Sequence, residues 1–198
     1  MNRLESHATA NTARQAAVLV LLSSGESEPS ILFTERARSM RFQAGQICFP
    51  GGSRDGIETP EETAVRECFE EVGIPPEHIS VQGRLPDTKL RGNLFHVVPV
   101  LARWHGDIES CQPNREEVEQ VHLISVDDLV NPAHRCTWRV TGDEQMRTGP
   151  AFAVRDLFIW GLTAEITDAL LNLAGWEMPW DQERIVTVPP RFLGAISR

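Results

Sequence analysis

Apolar and polar positions alternate along this chain with two different periods. Ala16–Ser23 is a continuous apolar run, the pattern of a strand covered on both faces. Pro29 marks a turn over Glu26–Ser30, and Ile31–Thr34 predicts a second strand, so Ala16–Thr34 is expected to form a hairpin. Glu35–Gln46 reads as a loop. Ile47–Phe49 reads as a brief strand stopped by Pro50-Gly51-Gly52. Ile79–Leu85 and Leu94–Trp104 predict strands, and Pro99 within the second predicts an edge position or a bulge. Glu117–Ser125 predicts a strand and Val126–Val130 a short helix. Cys136–Val140 and Ala151–Val154 predict weaker strands around a Gly142–Pro150 loop. Trp160–Ala174 predicts a helix with Leu162, Ile166, Leu170 and Leu173 inward and Gly175 at its end. Met1–Gln15 is polar and is expected to be a flexible tail. Residues 16–198 are expected to form a single domain, and the segment from Trp176 to Arg198, broken by prolines, is expected to cover the core.

The period changes most sharply after Glu58. Thr59 is an N-cap residue, Pro60 suits the first helical position, and Glu62 completes a capping box. Gly73 followed by Pro75-Pro76 ends the helix. Val65, Cys68, Phe69 and Val72 follow the i, i+3, i+4, i+7 rule and are expected to form the buried face. Glu67, Glu70 and Glu71 are expected roughly opposite. Three glutamates so spaced repel one another by a few tenths of a kcal/mol per contact. A solvated acidic face is the ordinary reading of such a pattern. The glycine turn before the helix and the apolar face behind it favour a second reading, in which the carboxylates line a cleft. Hard oxygen donors in that setting suit Mg²⁺ or Mn²⁺ bridging a phosphate ester.

Composition narrows the possibilities. The chain has 198 residues and a net charge of −9, which argues against a nucleic-acid-binding surface. An anionic substrate would need local help from metal ions or arginines. Lys89 is the one lysine among 19 basic residues, so that help would come from arginine, whose forked donors match phosphate oxygens. There is no run of 18 apolar residues, so no membrane span is expected. The four cysteines are widely spaced with no C-x-x-C pair, which suits reduced thiols and a cytoplasmic location.

Gly52 to Ile74 resembles the Nudix box position for position. Gly52 is followed after five residues by Glu58, and after seven more by Arg66-Glu67; then come Cys68 in an aliphatic slot, Glu70-Glu71, Gly73 and Ile74. Cys68 is a mild departure, since cysteine packs as a small hydrophobe. The resemblance implies an α/β fold, an α/β/α sandwich with a mixed β-sheet, and a metal-dependent hydrolase of phosphoric anhydrides. It implies metal binding by Glu67, Glu70 and Glu71 with the Gly52 carbonyl. It implies that Glu58 pairs with Arg66 to brace the loop, and that Glu67 or Glu71 is a candidate general base. Glu116 and Glu117, just before the predicted Val118–Ser125 strand, are further candidates for a distant acid.

Leu32-Phe33-Thr34-Glu35-Arg36-Ala37, then Arg41, Gly45 and Phe49-Pro50-Gly51-Gly52, are similar to the signature preceding the box in coenzyme A pyrophosphatases, with Phe33 in place of a leucine. Gly92, Phe95, Val97, Pro99 and Val100 also resemble that subfamily, as do Ile159-Trp160-Gly161 and Thr163-Ala164. The likeness implies substrate binding by Arg36, Arg41, Gly45 and Phe49, and cleavage of coenzyme A or its acyl derivatives into 3′,5′-ADP and 4′-phosphopantetheine. Hydrolysis of ADP-ribose or another nucleoside diphosphate derivative is the alternative. A non-catalytic nucleotide sensor is a third reading, disfavoured by the intact carboxylates.

Overall fold

The computed structural model describes residues 14–24, 28–86, 88–89, 95–106, 108–141 and 147–193. The expected tail over 1–13, the hairpin turn at 25–27, Gly92, Leu94 and the loop at 142–146 lie outside the described residues.

The frame is a mixed sheet around β1 (Arg14–Ser24). Its path also includes β2 (Pro29–Arg36), β3 (Ile47–Cys48), β5 (Ile79–Arg84) and β7 (Phe95–Trp104), in the order β3-β2-β1-β7-β5. Three further strands attach to it: β4 (Gly51–Ser53) to β1, β6 (Thr88–Lys89) to β7, and β8 (Val118–Ser125) to β2. β1 runs parallel to β7 from Arg14↔Phe95 to Ser23↔Trp104. On its other edge it pairs with β4 near its start and with β2 near its end. Paired on both edges and covered on both faces, β1 needs the continuous apolar run that the sequence carries. It starts two residues earlier than the pattern suggests, because Arg14 and Gln15 still have partners on β7.

Alternation divides the core in two. Ala17, Leu19 and Leu21 pack with Leu32, Val100, Ala102 and Trp104 against the helix α1 (Pro60–Val72). Val20, Ile31 and Phe33 point the other way. There they meet a second layer built from β9 (Arg135–Arg139), β10 (Thr148–Val154), β11 (Leu157–Ile159), the helices α2 (Val126–Val130) and α3 (Gly161–Leu173), and the C-terminal segment. β9 to β11 with β12 (Ile185–Thr187) form a smaller sheet, in the order β11-β10-β9-β12. The α/β fold with a mixed sheet is thus as expected, with this small sheet as an additional part. Of the proline-broken segment, Val188 and Phe192 are buried against the core, while Trp176, Met178 and Ile185 are exposed and 194–198 lie outside the described residues.

Three expectations need correction. Pro99 lies on an inner strand, not an edge. It sits where β7 changes partners, between Val97 opposite β6 and Val100 opposite β5. The missing N–H is not required there, while the Pro99 carbonyl accepts from Leu85 N–H at 2.9 Å. Leu173 is exposed, and α3 buries Ile166, Leu170 and Leu171 instead. The largest correction concerns α1. Its cap is as predicted, with both capping-box bonds present and Gly73 left-handed at φ 75°. Its buried residues, however, are Thr63, Ala64, Cys68, Glu71 and Val72, while Phe69 is 51% exposed. At ~100° per residue, Glu71 falls within ~20° of Ala64 around the helix axis and Phe69 ~140° away. The sheet thus receives the small residues, and one glutamate goes with them.

Candidate active site

The site forms where the β4 turn meets α1. Gly51 lies at φ 156°, and a Cβ there would come within 2.4 Å of the Ala17 carbonyl oxygen. Only glycine lets this segment lie against β1. Its N–H then reaches Glu71 Oε2 at 3.1 Å. A Cβ on Gly52 would meet the Glu67 carboxyl carbon at 2.5 Å. The two glycines of the turn therefore bring backbone directly onto two of the three helix carboxylates.

Arg66 joins the rest. Its Nε donates to Glu58 Oε1 at 2.8 Å and Nη2 to Glu58 Oε2 at 3.1 Å, a two-pronged bond. Its Nη1 donates to Glu67 Oε1 at 3.0 Å and to Glu70 Oε2 at 2.8 Å, and Nη2 also reaches the Ser53 carbonyl at 3.1 Å. Glu58 additionally accepts from Thr63 Oγ1 at 2.9 Å and from the Asp55 N–H at 3.1 Å. Those bonds, Arg66 first, hold the Glu58 carboxyl down to about 2. Glu58 and Arg66 thus form the expected brace.

The other carboxylates differ in environment. Glu71 is 3% exposed, and burial pushes its carboxyl up to about 7 against the pull of the Gly51 N–H and Arg36. Glu67 is also pushed up, by burial first, with Arg66 opposing. Glu70 is half exposed and tied to Arg66. Glu117 acts on both Glu67 and Glu71 as a like charge that raises them. Its loop is stitched to the end of α1, since Gln112 N–H donates to Val72 O at 2.8 Å and Asn114 N–H to Glu71 O at 3.0 Å. Glu116 is exposed, with its N–H held by Asn114 Oδ1 at 3.1 Å. Of the two distant acids named from sequence, Glu117 is the one drawn into the cluster.

The expected substrate residues separate as well. Arg36 turns toward α1, with Nη1 3.9 Å from Glu71 Oε1 and a buried Nε that has no hydrogen-bond partner. Arg41 is exposed, its guanidinium 5.4 Å from the Phe42 ring centre. Gly45 is a left-handed corner at φ 71°, and its N–H donates to the Arg36 carbonyl at 2.9 Å. Phe49 is not at a substrate surface. It is buried and stacked on Phe33 with ring centres 5.0 Å apart, which corrects its expected role: the turn that follows needs an apolar anchor in the core. Thr34 and Cys48 were not foreseen beside the cluster. Their juxtaposition follows from β2–β3 pairing, with Thr34 Oγ1 3.2 Å from Cys48 Sγ, and no local pattern announces it.

A family model for the NUDIX domain matches residues 13–141, about two thirds of the chain. The chain belongs to the Nudix family. It is 37% identical over 164 residues to the mitochondrial coenzyme A diphosphatase NUDT8 of Mus musculus, covering 80% of this chain and 77% of that protein. It is 34% identical over 164 residues to the Nudix hydrolase NudL of Pectobacterium atrosepticum, covering 79% and 81%. It is 36% identical over 133 residues to Nudix hydrolase 3 of Caenorhabditis elegans, covering 66% of this chain but only 55% of that protein. A solved Nudix hydrolase from M. smegmatis, RenU, overlays with a TM-score of 0.50 at 28% identity, covering 59% of this chain and 73% of its own. A MutT/nudix family protein from Enterococcus faecalis shares the fold, with a TM-score of 0.53 at 17% identity, covering 88% and 65%.

The chain is therefore a Nudix hydrolase, an enzyme that cleaves phosphoric anhydrides. Nudix hydrolases act on small nucleotide substrates and generally use divalent metal ions. Among the described residues, no three of His, Cys, Asp and Glu close on a common point, and Arg66 bridges Glu67 and Glu70 instead. The donor set nonetheless fits a hard cation. It is all carboxylate and backbone oxygen, and burial raises the Glu67 and Glu71 carboxyls despite Arg66 and Arg36 beside them, a penalty that a bound cation would offset. No helix among the described residues is long and apolar enough to cross a membrane.

Proposed function

We propose that this enzyme hydrolyses the diphosphate of coenzyme A or its acyl derivatives, releasing 3′,5′-ADP and 4′-phosphopantetheine or its acyl form. The observation that carries this reading is Arg36. Its position falls in the segment resembling coenzyme A pyrophosphatases, and it presents an unpartnered buried Nε beside the carboxylate cluster. A guanidinium so placed has donors to spare for a phosphate oxygen. The likeness to coenzyme A diphosphatases of mouse supports the same substrate.

In this reading Glu67, Glu70 and Glu71, with the Gly52 carbonyl, hold magnesium or manganese. Bound there, the metal would neutralise the diphosphate and lower the pKa of the attacking water. Arg66 and Glu58 keep the helix carboxylates and the glycine turn in register. Arg36 orients the diphosphate. A carboxylate, Glu67, Glu71 or Glu117, takes the proton as the water oxygen bonds to phosphorus. The bond from that phosphorus to the bridging oxygen breaks, and the bridging oxygen leaves on the other phosphate.

Coenzyme A, an acyl-coenzyme A, ADP-ribose and a dinucleotide incubated with Mg²⁺ or Mn²⁺ test the proposal. Release of 3′,5′-ADP from coenzyme A or its acyl form, faster than any cleavage of the others, is expected. Turnover of ADP-ribose alone overturns the coenzyme A reading.

A further inference from the structure

The loop after β2 and the C-terminal segment meet, and each brings arginine to the meeting. Arg36 N–H donates to the Gln46 carbonyl at 3.0 Å, and Gly45 N–H to the Arg36 carbonyl at 2.9 Å. Gln46 Nε2 donates to the Leu193 carbonyl at 3.2 Å. A Cβ on Gly45 would lie 2.9 Å from the Arg191 carbonyl oxygen, so the two backbones touch. The C-terminal side of this contact is firmly seated. Phe192 is buried, and Trp160 Nε1 donates to its carbonyl at 3.1 Å.

Arg38 and Arg41 on the loop and Arg191 on the C-terminal segment are exposed, and among the described residues none has an ion pair. The Arg191 guanidinium lies 4.5 Å from the centre of the Phe192 ring, and Arg41 lies over Phe42 in the same way. An aromatic face holds the plane of a guanidinium while leaving its N–H donors free. In a chain of net charge −9, uncompensated arginines on two converging segments make a local anion-attracting surface.

We propose that Arg191, with Arg41 and Arg38, forms the subsite for a second, outlying phosphate of the substrate, its ribose 3′-phosphate. This rests on the coenzyme A reading. Arg36 and the carboxylate cluster serve the reacting diphosphate. The arginines at the exposed junction answer a phosphate monoester that takes no part in the chemistry. Arg191 is therefore a specificity-determining residue that lies beyond the stretch matched by the family model.

The test is the ratio of kcat/KM for coenzyme A to that for 3′-dephospho-coenzyme A, in wild type and in Arg191→Ala. A second variant, Arg191→Gln, keeps a flexible side chain over Phe192 should the alanine variant fold poorly. The wild type is expected to prefer coenzyme A. Either variant is expected to lose about tenfold of that preference, chiefly through KM for coenzyme A. A wild type without preference, or variants that keep it, overturns the inference alone. A wild type that cleaves neither compound overturns the coenzyme A reading, and the inference with it.

Discussion

The end of α1 and the loop after β2 meet where Arg36 approaches Glu71 but are held in opposite ways. The carboxylates of α1 are fixed from every side: by a capping box, by Arg66 spanning Glu58, Glu67 and Glu70, by two glycines pressed onto Glu67 and Glu71, and by the 112–114 backbone. The loop is held by its backbone at Arg36, Ala37, Gly45 and Gln46, while Arg38, Arg41 and Phe42 project into solvent. Bond breaking needs carboxylates fixed to a fraction of an ångström. Choosing among nucleotides needs charges on a surface that can be altered without disturbing the core. One protein can therefore keep its chemistry while its substrate preference drifts.

Substitutions should divide along that line. The largest effect is expected from Glu71→Gln or Glu67→Gln. Steady-state assays should show kcat reduced by about 10²- to 10⁴-fold, while circular dichroism shows an intact fold. Comparable activity in both variants would remove these carboxylates from the chemistry. Gly52→Ala should follow, because its Cβ would displace the Glu67 carboxyl. Most turnover should be lost, with a destabilisation of about 1–3 kcal/mol readable by denaturant titration. On the loop side, Arg36→Ala should raise KM about tenfold with a smaller change in kcat. An equal fall in kcat would move Arg36 into the fixed half of the site.

Stability against pH sharpens the contrast within the fixed half. The Glu71 carboxyl is raised from 4.5 to about 7 in the folded protein. The fold therefore binds this proton more tightly than the unfolded chain does. In chelator, the Glu71 contribution to stability is greatest below pH 4.5 and is lost as pH rises toward 7. Glu58, lowered to about 2, has the opposite sign: its contribution is present above pH 4.5 and lost as pH falls toward 2. Thermal unfolding of Glu71→Gln in chelator should lose the first slope and keep the second. An unchanged first slope would mean that Glu71 is not the buried group responsible. The smallest effect is expected from Thr59→Ala, which removes the helix cap for about 1 kcal/mol with little change in kcat.

Much of this was legible in the sequence for physical reasons. Caps and turn glycines act over a few residues, so the limits of α1 could be read from Thr59, Pro60 and Gly73. The Glu58–Arg66 brace was legible only through the likeness to the Nudix box. The facing of α1 was less legible, because a heptad rule ranks residues by hydrophobicity while the sheet selects by size. Ala64, Cys68 and Thr63 fit against β1, Phe69 does not, and Glu71 is carried inward with its neighbours. Pairings distant in sequence were not legible at all. Nothing near Cys48 announces Thr34, and nothing near Gly45 announces Arg191. The choice between Glu116 and Glu117 likewise depended on how the 112–118 loop is sewn to the helix.

The parallel pairing of β1 with β7 has a consequence for assembly on the ribosome. All of α1 and β5 is made after β1 and before β7, yet α1 rests on a floor to which β7 contributes Val100, Ala102 and Trp104. A nascent chain that has not yet reached Trp104 possesses the whole Nudix box but only the β1 and β2 part of the surface on which its helix rests. Closing that long loop is an entropic toll collected before any catalytic group is in place. The enzyme should thus become active in a single late step, once β7 has docked and β8 has brought Glu117 to the helix.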